Sequence, residues 1–482
     1  MGTHGVAPLA LACVVLCPQL DAQEASPAEG WSTRVAQSWL RTPAYADGRV
    51  FVGGGIGSRD FYAFDARTGE ELWRTRVSDV GPTAALVHRG RVIFGSESCH
   101  VHVLDAETGA IVWERFLGDP LTAAPSVGGG RVYAAYLAQA GWSLAALDLA
   151  SGEPVWNLLL GHNVIDAPVY HQEALYLATT DGSVRAIDAD TGRPRWTRAV
   201  DALGAPTRVG DEIHVVAWPQ HGDQPIRLRF QLRGYDPGYA EVFAQLEERL
   251  NALGACAWSE PVRVPLQLQE GRVRADVSGA PEAAQECLRA SLGKMRVPPD
   301  DTGVHELLLS RGRQHIARLD AASGEVRPSF GEVLLGRVPE FAARGGGSWL
   351  WSYEGPRVLA DGDETIELVG DRIRLRQSRS LLGDQQLRWS QRVVGGATLP
   401  AITDEHLVFG SEHAIVVRSR RSGETVREVP IEGRLASQPV VANGWVIATT
   451  RDGRLLGRPM RDVLNPSETY AMWGGSADRA GR

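Results

Sequence analysis

One motif, written several times along the chain, constrains the fold more than anything else in it. Val184–Trp196 reads VRAIDADTGRPRW, Tyr62–Trp73 reads YAFDARTGEELW, Val101–Trp113 reads VHVLDAETGAIVW and Ala145–Trp156 reads AALDLASGEPVW. The shared core is apolar-Asp-x-x-Thr/Ser-Gly-x-x-x-Trp, and its tryptophans stand at 73, 113, 156 and 196, spacings of 40, 43 and 40. A fixed period of this length signals repeated units, none of which can bury its own face without stacking on its neighbours.

Each residue of the motif has a structural task. The apolar residues before the Asp alternate as a strand does. Asp65, Asp105, Asp148 and Asp188 can accept backbone N–H groups a residue or two further on, and Gly69, Gly109, Gly152 and Gly192 supply the positive φ that reverses the chain. Trp73, Trp113, Trp156 and Trp196 are too large to remain exposed and are expected to wedge between adjacent sheets. With one such Asp per unit, and Asp320 in a degenerate fifth copy, the carboxylates stand apart around a ring and form no metal array.

A second signal precedes each turn: an inner strand, often opened by Pro, then a tight turn and a β-rich strand. It occurs at Pro43, Ala85, Pro125, Pro168 and Pro206, then at Pro339, Pro400 and Pro439. Eight units of two inner and two outer strands predict a mainly β chain folded as an eight-bladed β-propeller. The later units are degenerate. His315–Pro328 has Pro328 where the Trp belongs, Ile373–Trp389 keeps only its Trp, and Ile415–Arg427 keeps Ser422-Gly423 without Asp or Trp. The ring is expected to close by the segment Trp31–Arg41 adding a strand to the last blade.

The N-terminus carries an apolar run from Val6 to Cys17 followed by Pro18 and polar residues, the layout of a signal peptide over 1–22. An exported, periplasmic or secreted protein follows, with a lipid-modified Cys13 or Cys17 as the alternative. Net charge is −8 without a basic run, which argues against nucleic acid as a partner. The basic residues are arginines apart from Lys294.

Residues 219–301 read differently from the propeller segments at 31–218 and 302–482. Tyr239–Leu253 has helical spacing with Gly254 as its stop, Val262–Leu268 and Arg272–Val277 form a hairpin around Glu270-Gly271, and Pro281–Leu292 opens a second helix at Pro281. With a strand near Val304–Ser310 this makes a small α/β insertion within blade five. In an oxidising compartment its two cysteines, Cys256 and Cys287, are expected to form a disulfide, two buried thiols being the alternative. Cys99-His100 lacks a second ligand pair and reads as a packed thiol.

The repeat resembles the PQQ-like, or quinoprotein-alcohol-dehydrogenase-like, family over about 31–216 and 305–480, in the non-catalytic BamB-type envelope form. The insertion resembles the AgmX/PglI C-terminal, TonB-C-like domain in Cys256, the strand pair around Gly271, Ala284-Gln-Glu-Cys287 and Met295-Arg-Val-Pro-Pro299, although Val297 replaces the usual aromatic. The first resemblance implies a non-enzymatic protein-binding scaffold in outer-membrane protein assembly, monomeric within a complex. The second implies a myxobacterial-type envelope or motility complex. A PQQ-dependent dehydrogenase is the enzymatic alternative, but that family's vicinal Cys-Cys pair is missing, and no phosphate-loop, zinc or serine-hydrolase motif occurs. We therefore expect no catalytic, cofactor-binding or metal-ligating residue. Partners are expected to be envelope proteins that dock on exposed strand edges or on the insertion.

Overall fold

A computed structural model describes residues 30–36, 40–55, 57–97, 100–118, 124–202, 204–217, 226–231, 249–258, 262–296, 304–311, 315–327, 358–361, 364–369, 372–378, 385–394, 397–465 and 469–470. Blade one is Ala44–Ala46, Arg49–Gly53, Asp60–Asp65 and Glu71–Arg76, four antiparallel strands in sequence order. Blades two, three and four repeat that order over 86–116, 126–159 and 164–199, and blade seven over 401–430. In blade two the inner strand is short and partly buried, the second and third strands carry the apolar residues of the core, and the fourth strand is the exposed rim. The eight sheets form the expected β-propeller.

Blade eight joins the two ends of the chain. Trp31–Arg34 pairs antiparallel with Arg454–Pro459, Trp31 opposite Gly457, as the closing strand that the sequence suggested. Thr469–Tyr470 adds a fifth strand at the inner edge of the same sheet, beside Val440–Ala442. Blade six departs from the expectation. Its inner strands are Val358–Asp361 and Glu364–Val369. The Pro339 stretch, assigned to that place, lies outside the described residues, as do the signal peptide, Cys99 and Pro328.

Blade five is assembled from two distant segments. Thr207–Val209 and Glu212–Ala217 pair with His315–Asp320 and Val326–Arg327, which follow the insertion. Buried Glu212 joins the halves: Arg318 donates to both of its oxygens at 2.7 and 2.8 Å, Arg327 donates at 2.9 Å, and His214 Nε2 lies 2.8 Å away. Burial opposes ionisation of Glu212, but the hydrogen bonds from His214 and Arg318 outweigh it and bring the carboxyl from its ordinary 4.5 to about 2. A carboxylate depressed on folding contributes stability that is fully present above the unfolded value and is lost as pH falls towards the folded one. Stability measured by denaturation should therefore decline between pH 4.5 and about 2. Glu212→Gln should flatten that part of the profile, and an unchanged slope would contradict the assignment.

The insertion replaces the loop between the second and third strands of blade five. It forms a separate sheet in the order Ile226–Gln231, Val304–Arg311, Val262–Gln269, Arg272–Ala275, with helices Leu250–Ala255 and Glu282–Leu292. The strand Ile226–Gln231 has no counterpart in the sequence reading, and the last strand carries the unit to Arg311, beyond residue 301. Val262–Gln269 alternates buried and exposed along its whole length, so one face packs on the helices through Val264, Leu266, Leu268, Leu288 and Leu292. Glu270 and Gly271 both have positive φ, the conformation of a two-residue hairpin turn. Gly254 does not stop its helix, which runs on to Ala255; Cys256 then leaves in an extended conformation. Pro281 flanks the second helix as its N-cap instead of occupying its first turn. Cys256 and Cys287 form the expected disulfide, their Cα atoms 5.5 Å apart.

Candidate docking surface

The repeated residues build junctions between blades. In each turn the Asp accepts the backbone N–H of the Thr or Ser three residues on, at 2.8–3.0 Å for Asp65, Asp105, Asp148, Asp188 and Asp320. Arg195 and Thr191 donate to Asp188 as well and hold its carboxyl at about 2. Each Trp reaches the turn of the next blade, where its indole N–H donates to the carbonyl just after the Asp. Trp73 bonds Ala106 at 3.3 Å, Trp113 bonds Leu149 at 3.0 Å, Trp156 bonds Ala189 at 2.9 Å and Trp196 bonds Ala321 at 3.1 Å. The ring lies flat on the turn glycine. A Cβ on Gly109, whose φ is +72°, would come within 2.6 Å of Trp73. That position needs glycine for both its φ and its closeness.

Two further members complete this set, Trp31, which the sequence did not mark as a repeat tryptophan, and Trp389, which the degenerate unit Ile373–Trp389 keeps. Trp31 on the closing strand bonds Ala66 at 3.0 Å, so it is the tryptophan of blade eight. Trp389 bonds Arg420 at 2.7 Å. At the junction of blades seven and eight the corresponding residue is Arg427, which pairs with Asp462 at 3.2 Å on the surface.

Blade two contains a polar cluster that sequence reasoning passed over. His102 Nδ1 lies 2.8 Å from Glu114 Oε1 and Nε2 lies 3.1 Å from Ser96 Oγ. The order Glu-His-Ser is that of a nucleophile relay. Here the arrangement serves packing: His102 and Ser96 are fully buried, and the Ser96 hydroxyl is donated to Asp79 at 2.5 Å. Burial lowers the pKa of His102, and Glu114 also accepts the backbone N–H of Ser78. The cluster brackets the connection from blade one against blade two. Among the described residues no group of three His, Cys, Asp or Glu side chains is placed to hold a metal ion.

What the propeller does present to solvent is its rim. Each outer strand pairs on one side only among the described residues, leaving a row of backbone donors and acceptors. Half of the ten exposed large apolar residues of the described chain lie on two adjacent outer strands, which singles out blades two and three. They are Ile111, Val112 and Phe116 on Ile111–Phe116, and Val155 and Leu159 on Pro154–Leu159. Phe116 is 63% exposed and Leu159 55%. The outer strand of blade four, Pro194–Ala199, instead carries exposed Arg195 and Arg198. The insertion emerges on the face formed by the loops between second and third strands. Arg263, on its strand Val262–Gln269, donates to the Asp181 carbonyl of blade four at 2.9 Å.

These observations define a class: an eight-bladed β-propeller whose unused surface is an apolar stretch of rim, with an inserted sheet on one face. The family model described as outer membrane protein assembly factor BamB matches residues 20–115 and 57–217. The outer membrane protein assembly factor BamB of Shewanella oneidensis is 25% identical over 37% of this chain, which spans about half (51%) of that relative's length. The BamB of Burkholderia pseudomallei is 25% identical over 74% of this chain and 78% of its own. A 119-residue stretch is 32% identical to the 1-butanol dehydrogenase (quinone) of Thauera butanivorans, covering 20% of this chain and 19% of that enzyme. Among solved structures, BamB from Moraxella catarrhalis superposes with a TM-score of 0.51 at 16% identity, covering 89% of this chain and 96% of that one. The chain is an eight-bladed β-propeller whose repeats are similar to those of BamB, by the family model over residues 20–217 and by fold over most of its length.

Proposed function

We propose that this chain is a non-enzymatic docking platform of the bacterial envelope that serves outer-membrane protein assembly. The observation that carries the reading is the likeness to proteins named outer membrane protein assembly factors, one of them over 74% of the chain. The exposed rim of blades two and three supplies a mechanism. An extended segment of a partner can add to the outer strand Ile111–Phe116 or Pro154–Leu159 through backbone hydrogen bonds, with Phe116 and Leu159 giving apolar contact. Fold alone does not fix activity, and part of the chain is also similar to a protein named 1-butanol dehydrogenase (quinone). In the Glu114–His102–Ser96 set of blade two, the His and Ser are fully buried. We place the mature protein in the periplasm, reached through the signal peptide, and regard it as a monomer within a complex.

Affinity capture of the tagged chain from crosslinked envelopes should recover a component that assembles outer-membrane β-barrels. The double variant Phe116→Glu/Leu159→Glu should lower that recovery at least tenfold. Its thermal stability should stay unchanged, since both side chains are already exposed. Recovery that is undiminished in the variant would remove the rim from the mechanism. Absence of any such component from the wild-type capture would remove the function.

A further inference from the structure

The edge of the inserted sheet carries four cations on one exposed face. Arg272 and Arg274 lie on the edge strand Arg272–Ala275, exposed on either side of buried Val273. After the second helix, Lys294 and Arg296 are exposed on either side of buried Met295. A bridge pairs Arg272 with Arg296 in the antiparallel sense, which puts Lys294 towards Arg274. Directly opposed residues in such a pair stand about 4.5–5.5 Å apart at Cα. Val273 and Met295 thus share the core behind the sheet, while the four charges form a two-by-two grid in front of it.

Like charges opposed across a strand pair destabilise it, and three of the four lack an acid beside them. Among the described residues Arg272, Arg274 and Lys294 have no acidic partner. Gln269 and Gln267, opposite Arg272 and Arg274 on the neighbouring strand, extend the face with amide donors. The whole chain carries −8, so the grid is a local inversion of charge. Guanidinium and ammonium groups both bind phosphate, the ammonium as a point charge. No residue of 262–296 is an exposed large apolar side chain. A polypeptide partner would draw most of its affinity from apolar or aromatic anchors seated in pockets, whereas a flat face read by charge density suits a lipid surface.

We propose that this face docks the chain onto an anionic lipid surface through its phosphate headgroups. The docking is independent of the rim and of the protein partner. The test is co-sedimentation of the full chain with vesicles of mixed phosphatidylglycerol and phosphatidylcholine, against vesicles of phosphatidylcholine alone. Binding should occur with the anionic vesicles only and weaken as salt is raised. Each charge near such a surface contributes roughly fivefold, so Arg272→Gln/Arg274→Gln should bind about 25-fold more weakly. Arg272→Lys/Arg274→Lys should bind nearly as the wild type does. Both variants keep Val273 and Met295 in place, and an unaltered thermal transition confirms that they fold. No binding by the wild type, equal binding to both vesicles or undiminished binding by the glutamine variant would overturn the proposal. Tighter, saturable binding of poly-glutamate than of the anionic vesicles would overturn it in favour of an acidic polypeptide.

Discussion

Trp196→Ala is expected to destabilise the propeller by about 3–5 kcal/mol, the usual loss when a large buried aromatic is truncated. Trp196 is the seam between blade four and blade five. Its ring is buried against Gly324 and its N–H is donated to Ala321, both on the far side of the insertion. The turn backbone cannot close the space left behind, because Ser323 and Ala322 are tied to Asp320. Trp196→Phe keeps most of the burial and should lose only the hydrogen bond, about 0.5–1.5 kcal/mol. Arg427→Ala, at a junction held by an exposed ion pair, should cost within about 1 kcal/mol. Equilibrium denaturation of the three variants checks the ordering. A Trp196→Ala loss no larger than that of Arg427→Ala would show that the indole does not hold the blades together.

Removing the disulfide gives the second large effect, confined to the insertion. Cys256 follows one helix and Cys287 lies within the other, 31 residues apart, so the bond ties the two helices that cover the sheet. A constraint on a loop of that length stabilises by about 2–4 kcal/mol. Cys256→Ala/Cys287→Ala should therefore speed amide hydrogen exchange across 262–292 by roughly two to three orders of magnitude, as RT fixes for that free energy. Exchange in blades one to four should not change. Uniform acceleration over the whole chain would mean that the insertion and the ring unfold as one unit.

The repeats were legible because a Thr/Ser-Gly turn and a buried Trp leave a periodic trace. Trp31 was not, although it makes the same bond as Trp196, because the residue serving the last blade stands first in the chain. Blade six was misplaced for a related reason. Its inner strands at Val358–Asp361 and Glu364–Val369 carry buried Glu364 and Glu367, so the apolar pattern that marks other blades is broken by ion pairs with Arg388, Arg420 and Arg376. Pairing such as Glu212 with Arg318 joins residues 106 apart and leaves no local trace. The strand Ile226–Gln231 was missed because it pairs with Val304–Arg311 across the whole insertion. Sequence named the outer strands as docking edges but not which blades carry the exposed apolar side chains; that is a property of burial and not of pattern.

The most direct test of the docking platform is a photoreactive residue placed at single rim positions, with crosslinking inside intact envelopes. Positions 116 and 159 should crosslink to a component of the outer-membrane β-barrel assembly machinery. Position 198, on the arginine-bearing outer strand of blade four, should not. Equal crosslinking from 198, or none to such a component from 116 and 159, would contradict the account.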